Sequence, residues 1–155
     1  MIDINRILLA TDFSGDSALA LELAKETARR FDAEVIVLHV DEGPEAAPLS
    51  PAAALRRDQA RLKLERVREE LAEEQIRAST LLRPGDPARE ILRIATSRTV
   101  GMIVIATHGW TRSSNLLLGS VADRVLRHAP QPVRTVRHPD RQVPAPAGGA
   151  VFPAC

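Results

Sequence analysis

Five short apolar runs alternate along this chain with four segments that show helical periodicity. The runs span residues 6–10, 33–40, 78–83, 101–106 and 133–136, and the helical segments span residues 14–31, 52–75, 88–98 and 120–128. Strands that are apolar along their whole length are typical of a parallel sheet with both faces covered by helices. The alternation therefore predicts an α/β fold with a five-stranded parallel sheet, doubly wound with helices on both faces.

Composition limits the classes of partner that such a domain would serve. The 155 residues suit one domain with a full core, and the net charge of +1 gives no electrostatic reason to expect nucleic acid or an anionic membrane as partner. Aromatic residues make up only 3%, which argues against a base-stacking surface for single strands. The single cysteine, Cys155, can form neither an internal disulfide nor a Cys-based metal site. Because the first residues lack a signal-peptide pattern and no apolar run reaches membrane-spanning length, we expect a cytoplasmic protein.

Capping residues and apolar spacing predict the helix ends and the buried helix faces. Ser14 is suited to cap the first helix, and Asp86 followed by Pro87 is suited to start the third. Lys25 lies off the apolar stripe of the first helix and is predicted to lie with the charges on its other face. The side chains predicted to face the sheet are Ala20, Ala24, Thr27, Phe31, Ala60, Leu64, Val67, Leu71, Ala88, Ile91, Leu92 and Ala95.

The end of the chain differs from the rest in composition. Residues 139–155 are dense in Pro, Ala and Gly and have no periodic pattern. They are predicted to form a flexible tail after a single domain of residues 1–138. Lysine occurs only at positions 25 and 63 while arginine is abundant, which favours a GC-rich bacterial source.

Three polar stretches follow strands and mark a candidate site. They are "ATDFS" after the first strand, "HVDEG" after the second and "THGWTRSSNLLLGS" after the fourth. In an open doubly wound sheet, ligands bind beyond the carboxyl ends of the strands, near the point where the strand order switches. Asp12 in the first stretch can accept hydrogen bonds from a ribose hydroxyl or an adenine amine, or can serve the turn before the first helix. The residues alone leave both roles open.

The third stretch resembles a phosphate-binding loop without a lysine. Gly109 can adopt a positive φ or let a phosphate approach its backbone. Gly119 and Ser120 stand where the fourth helix is predicted to begin, so the first amides of that helix are suited to an anion. The Ser120 hydroxyl can cap the helix or donate to a phosphate oxygen, and Arg112 can add a charged fork. The two glycines are equally well explained without a ligand, as a glycine in a turn followed by a glycine at the start of a helix.

The histidines and the single tryptophan carry less information. His39 lies on an otherwise apolar strand and is predicted to be an interior polar group with a hydrogen-bond partner. His108 has no serine or cysteine nucleophile arranged with it and is predicted to be structural. His128 and His138 lack metal-ligand spacing, and Trp110 is predicted to be exposed, where it can contact a ligand or partner.

Five stretches taken together resemble the universal stress protein family. They are "RILLATDFSGDSALAL", "AEVIVLHVDE", "GDPAREILRIA", "MIVIATHG" and "LLLGSVADRVLRHAPQPV", and the resemblance covers about residues 4–137. It implies a Rossmann-like, adenine-nucleotide alpha-hydrolase-like fold for the domain of residues 1–138. It also implies a homodimer that pairs through the fifth strand, Val133–Val136. The family has an ATP-binding branch and a branch that does not bind nucleotide.

The ATP-binding branch resembles Gly-x-x-Gly, nine residues, and then Gly followed by Ser or Thr. Here the spacing, Gly109 and the Gly119-Ser120 pair are kept, while Ala106 replaces the first glycine. Trp110 and Arg112 also depart from the residues common in the family. By position, the resemblance implies that Ala10 and Thr11 line the base, Asp12 holds the ribose or adenine, and the Val40 backbone meets adenine. It implies that the phosphates are wrapped by Ala106, Thr107, His108, Gly109, Arg112, Gly119, Ser120 and Val121.

Three hypotheses about function follow. The first is a regulatory module of the stress response that binds ATP, or else ADP or AMP, with Mg²⁺ as companion ion and at most slow hydrolysis. The second is an ATP pyrophosphatase or adenylyltransferase, because residues 14–18 faintly resemble the SGGxDS loop of the pyrophosphatases. The third is a stress protein that binds no nucleotide and acts through its dimer surface, with Ala106, Trp110 and Arg112 marking a lost site.

Overall fold

The computed structural model describes residues 3–43, 50–108 and 118–137. Strands and helices alternate along the chain as predicted, and β1, α4 and β5 have the predicted bounds. The sequence predictions for Gly109, Trp110, Arg112 and the tail lie outside the described residues. The elements are β1 (Arg6–Ala10), α1 (Gly15–Phe31), β2 (Glu34–Asp41), α2 (Pro51–Glu73), β3 (Ala78–Pro84), α3 (Pro87–Ser97), β4 (Met102–Ala106), α4 (Ser120–His128) and β5 (Val133–Val136).

The five strands form one parallel sheet in the order β3-β2-β1-β4-β5. The chain winds outward from β1 through β2 to β3, and then crosses to the other side of β1 to form β4 and β5. The strand order therefore switches between β1 and β4. This arrangement confirms the predicted five-stranded, doubly wound α/β fold.

Each face of the sheet has its own hydrophobic core. On the face that we call the α1–α2 face, Ile7, Leu9, Val35, Val37 and Val104 pack against Ala20, Ala24, Leu64 and Leu71. On the opposite α3–α4 face, Leu8, Ile36, Leu38, Ile103 and Ile105 pack against Ala88, Ile91, Ala122 and Val125. Successive side chains of each strand alternate between the two cores, which explains why the strands are apolar throughout.

Most of the predicted helix starts and stripes are confirmed. The Ser14 hydroxyl caps α1 by accepting from the amide of Ser17 at 3.2 Å. The Asp86 carboxylate caps α3 by accepting from the amide of Arg89 at 2.9 Å, with Pro87 at the first helical position as predicted. Each cap satisfies an amide that has no partner within the helix.

Two predictions for α1 are wrong. Phe31, placed on the buried stripe, is 46% exposed, because it is the last residue of α1. Lys25, placed with the charges on the other face, is only 2% exposed. Its ammonium group is enclosed by carboxylates of α1 and α2, and the packing of one helix against the other cannot be seen in the periodicity of either.

Among the described residues, no helix combines the length and hydropathy that a bilayer crossing needs.

Candidate functional site

The stretches that follow β1, β2 and β4 lie at one edge of the sheet, because all the strands run in the same direction. We call the region beyond the ends of β1, β2 and β4, on the α3–α4 face, the crevice. It includes the point where the strand order switches. This is the position at which open α/β sheets bind their ligands.

Phe13 directs the chain away from the crevice. Its φ of 62° lies in the left-handed region, which is uncommon for a bulky residue. It precedes Ser14, the cap of α1, and α1 packs on the α1–α2 face. The connection after Asp12 therefore leaves toward the α1–α2 face and does not cover the α3–α4 side of this edge. The sequence does not predict this conformation, because phenylalanine does not favour a positive φ.

Hydrogen bonds within the turn fix the position of Asp12. Its Oδ1 atom accepts from the amide of Ser14 at 2.9 Å and from the hydroxyl of Ser17 at 2.6 Å. The Asp12 amide in turn donates to the hydroxyl of Ser17 at 3.2 Å. Of the two roles left open by the sequence, the turn role is thus observed. The same bonds hold the carboxylate in one orientation at the end of β1.

The backbone of Val40 faces the crevice. Hydrogen-bonding groups alternate between the two sides of a strand, and the Leu38 carbonyl on β2 accepts from the amide of Thr11 at 2.9 Å. The Asp41 carbonyl faces the other way and accepts from the amide of Gly85 at 3.1 Å. The N–H and C=O of Val40 therefore point toward the β1 side, beyond the point where β1 stops pairing with β2.

The start of α4 lies very close to the end of β4. The amide of Gly119 donates to the carbonyl of Thr107 at 2.6 Å, and a Cβ atom on Gly119 would lie 2.7 Å from that oxygen. The N-cap residue of α4 is Gly119, which has no side chain to accept a hydrogen bond from the helix. Ser120 is the first residue inside the helix, and its hydroxyl therefore does not cap it. The first backbone bond of α4 runs from the amide of Asp123 to the carbonyl of Gly119 at 2.9 Å. The three amides before it, from Ser120 to Ala122, have no acceptor in the helix.

The two histidines at this edge have structural contacts. Nδ1 of His39 lies 2.8 Å from the carbonyl oxygen of Thr11, as expected for an interior polar group with a partner. Its ring also packs on Phe13, with ring centroids 4.6 Å apart. Nδ1 of His108, which is buried, lies 3.1 Å from the hydroxyl of Thr107. Among residues 3–43, 50–108 and 118–137, no group of three or more metal-ligating side chains is brought together.

A buried carboxylate beside Val40 forms ion pairs with two arginines, which the sequence analysis did not predict. The carboxylate of Asp41, at the end of β2, accepts from Nε of Arg56 at 2.6 Å and from Nε of Arg57 at 3.2 Å. The bond from Arg56 lowers the pKa of Asp41; burial opposes this shift, and the bond from Arg57 adds to it. These ion pairs tie the start of α2 to the carboxyl edge of the sheet.

Replacement of Asp41 by asparagine should reduce stability in a pH-dependent way. Because the folded-state pKa of Asp41 lies below its unfolded value, its charged form contributes stability above the unfolded pKa. That contribution is lost as the pH falls through the lowered folded pKa. We expect Asp41→Asn to lose about 1 kcal/mol near neutral pH in urea unfolding, and the difference from wild type to shrink below about pH 4. Asp58→Asn, which removes an exposed carboxylate, is the control; a constant difference at all pH values would contradict the linkage.

The predicted site residues that the structure describes come together at one edge. Ala10, Thr11, Asp12 and Val40 lie at the ends of β1 and β2, and Ala106, Thr107 and His108 lie at the end of β4. Gly119, Ser120 and Val121 form the start of α4. Gly109 and Arg112 complete the predicted set but lie outside the described residues.

Comparisons with known proteins agree with this architecture. The sequence model of the universal stress protein family matches residues 3–137. Universal stress protein MJ0531 of Methanocaldococcus jannaschii is 31% identical over 143 residues, which cover 88% of this chain and 84% of the relative. The solved structure of MJ0577 from the same organism is 30% identical with a TM-score of 0.81, covering 90% of this chain and 99% of that one.

A more distant structure carries a nucleotide. It is the universal stress protein of Archaeoglobus fulgidus in complex with dAMP, 23% identical with a TM-score of 0.66, covering 87% of this chain and 98% of that one. At this identity the likeness extends to the fold alone. The match over residues 3–137, together with relatives that share nearly the whole fold, confirms the resemblance seen in the sequence: this chain belongs to the universal stress protein family.

Proposed function

We propose that this chain binds an adenine nucleotide in the crevice and acts as a nucleotide-dependent regulatory module of the stress response. ATP, with Mg²⁺ as its companion ion, is the first candidate, and ADP and AMP are the alternatives. The observation that carries the proposal is the close approach of Gly119 to Thr107, which sets the uncapped start of α4 beside the end of β4. Three amides without helical acceptors, at the positive end of a helix, are suited to phosphate oxygens.

The proposed division of roles follows the edge of the sheet. Phosphates would lie at the start of α4, against Gly119, Ser120 and Val121, with residues 106–109 and Arg112 around them. The ribose would meet Asp12, whose carboxylate is fixed by two hydrogen bonds. The base would meet the donor and acceptor of the Val40 backbone, beside Ala10 and Thr11.

Ala106, the main departure from the binding pattern of the family, is compatible with this proposal. Its side chain belongs to the core of the α1–α2 face, together with Leu9 and Val104. The crevice lies on the α3–α4 face, where Ala10 and Val40 contribute to the other core. The extra methyl group therefore adds to the core behind the sheet and takes no space in the crevice.

The proposal extends to hydrolysis of the nucleotide, the location of the protein and its oligomeric state. We propose at most slow hydrolysis, a location in the cytoplasm, and signalling through a homodimer that pairs along β5. β5 is an edge strand of the sheet, so one of its sides has no neighbouring strand among residues 3–43, 50–108 and 118–137. The ligand would act by favouring one arrangement of the crevice, and a partner would recognise that arrangement.

The direct test is to identify what the protein holds. The purified protein is denatured and any released nucleotide is identified by chromatography, while ATP, ADP and AMP are titrated by calorimetry against protein freed of nucleotide. Release or saturable binding of an adenine nucleotide supports the proposal. A wild-type protein that neither carries nor binds one would contradict it and would favour a stress protein that acts through its dimer surface alone.

Asp12 offers a test of the ribose contact. Asp12→Asn keeps an oxygen that can accept from Ser14 and Ser17, but removes the charge that strengthens a bond from a ribose hydroxyl. We expect the Kd for ATP to rise about tenfold, since one charge-assisted hydrogen bond becomes neutral. Asp32→Asn, at the far end of α1, is the matched control and should leave the Kd unchanged. Equal affinities for Asp12→Asn and wild type would remove Asp12 from the site.

A further inference from the structure

Arg83 lies at the same edge of the sheet as the crevice, on the strand beyond β2. It is the penultimate residue of β3 and pairs directly with Val40 of β2. Side chains of directly paired residues lie on the same face of a sheet. Val40 belongs to the core of the α3–α4 face, and so does Leu81, two residues before Arg83. The Arg83 side chain therefore projects on the α3–α4 face, next to the base end of the crevice.

The guanidinium group of Arg83 is incompletely satisfied. Its Nε atom is buried and has no hydrogen-bond partner among the residues that the structure describes. The neighbouring carboxylate is that of Glu90, whose pKa is lowered first by the hydrogen bonds from Arg93 and more weakly by the charge of Arg83. Glu90 is thus already bonded to Arg93. A buried N–H donor without an acceptor costs about 1–3 kcal/mol, so the fold retains this donor at the expense of stability.

The distances across the sheet fit an extended nucleotide. Neighbouring strands lie about 4.8 Å apart, so three steps from β4 to β3 span about 14 Å. A nucleotide with its phosphates at the start of α4 and its ribose at Asp12 on β1 would bring its base to β2, within reach of a long side chain from β3. There the Val40 backbone offers one donor and one acceptor, and Arg83 offers donors only.

We propose that Arg83 is a positioning residue for the base, donating its Nε–H to a ring nitrogen of the adenine held against Val40. This inference rests on the proposed nucleotide function and extends it to the end of the crevice farthest from the phosphates. Ring nitrogens of adenine accept hydrogen bonds, and a guanidinium group is always charged, so the contact is of the charge-assisted type. It would give the buried donor the acceptor that the described part of the chain does not supply.

The test separates contacts to the base from contacts to the phosphates. ATP and adenosine are titrated by calorimetry against wild type, Arg83→Met and the control Arg89→Met, which removes an exposed arginine from α3. We expect Arg83→Met to raise the Kd about tenfold for both ligands, because both carry the base, and Arg89→Met to leave the Kd for adenosine unchanged. The melting temperature of nucleotide-free Arg83→Met should equal or exceed that of wild type, because a buried, unpartnered donor has been removed.

The outcomes distinguish this inference from the proposal on which it rests. If wild type binds ATP and adenosine and Arg83→Met binds adenosine equally well, the positioning role is wrong and the nucleotide function stands. If Arg83→Met weakens ATP but leaves adenosine unchanged, Arg83 acts on the phosphates and the inference is equally wrong. If wild type binds neither ligand, the proposed function itself fails.

Discussion

Replacement of Gly119 by valine should raise the Kd for ATP at least about a hundredfold. Even the Cβ atom of an alanine would lie 2.7 Å from the carbonyl oxygen of Thr107, which is closer than such atoms approach in folded proteins. The oxygen belongs to the backbone, so the start of α4 must move away from the end of β4. Amides that are aligned on a phosphate lose their geometry when the helix moves. Loss of two charge-assisted hydrogen bonds corresponds to about 3 kcal/mol, or more than a hundredfold in affinity.

The variants Gly119→Ala and Gly119→Val should form a graded series, because alanine adds one methyl group and valine three carbon atoms at the same clash. Calorimetric titration with ATP measures the Kd of each, and circular dichroism and thermal melting report whether each variant is folded. The α4 helix can shift by tenths of an ångström without unfolding, so we expect both variants to fold with lowered melting temperatures. Affinity should fall from wild type to alanine to valine.

Gly101 provides the matched control. A Cβ atom there would overlap the carbonyl oxygen of Asp3 and lie 2.9 Å from the Cα atom of Ile4, so Gly101→Ala also forces a backbone shift. Gly101 precedes β4, at the edge of the sheet opposite the crevice. Gly101→Ala should therefore lower the melting temperature while leaving the Kd for ATP unchanged. If Gly101→Ala and Gly119→Val weakened ATP binding equally, or if neither did, the start of α4 would not be the phosphate site.

The fold was predictable because the sequence signals for its strands and helices are local. Apolar runs bounded by turns predict strands, and caps such as Ser14 and Asp86 predict helix starts, without knowledge of what packs against them. The parallel direction of the strands then follows from the alternation of strand and helix. Even the carboxyl edge could be identified as the ligand-binding edge, since this property belongs to the fold class.

The details that were missed depend on contacts between distant parts of the chain. The approach of Gly119 to Thr107 becomes visible only when α4 packs beside β4, and the sequence alone suggested Ser120 as a possible cap. The buried Nε of Arg83, which has no partner in the described part of the chain, is likewise a property of the packed sheet, because in the sequence Arg83 is one arginine among many. Phe13 in the left-handed region runs against residue preference. Residues that violate local rules are expected at functional or strained sites, and both Arg83 and Phe13 lie near the carboxyl edge of the sheet, where we propose the nucleotide site.

Lys25 is the strongest case of such a contact, and its removal should cause the largest loss of stability that we predict. Its ammonium group donates to Glu22 of α1 at 2.9 Å, to Glu70 of α2, and to Glu74, the residue that caps the end of α2, at 2.9 Å. Burial alone would lower the pKa of Lys25, but the hydrogen bonds that it donates to Glu22 and Glu70, together with the charges of these carboxylates, outweigh burial, and the pKa is raised. A single cation thus contacts three carboxylates and links α1 to the C-terminal end of α2 on one face of the sheet.

Lys25→Met should destabilise the protein by about 2 kcal/mol in urea unfolding near neutral pH. Methionine can replace the buried carbon chain, so the loss reflects the cation; it is smaller than for a fully buried pair because the carboxylates left behind are partly exposed. Since the folded-state pKa of Lys25 is raised, the contribution is complete below the unfolded pKa of about 10.4 and is lost as the pH rises through the folded value.

Lys63, the other lysine of the chain, is the natural control. It is exposed, and its ammonium group lies 5.3 Å from the centre of the Phe13 ring, a contact worth about 0.5–1 kcal/mol at an exposed site. Lys63→Met should therefore cost less than half as much as Lys25→Met. A double variant that also replaces Glu70 by glutamine should recover stability relative to Lys25→Met, because Glu70 is left without its cation whereas Glu74 keeps its ion pair with Arg29. If Lys25→Met were as stable as wild type, the contact of Lys25 with the three carboxylates would contribute nothing to the stability of the protein.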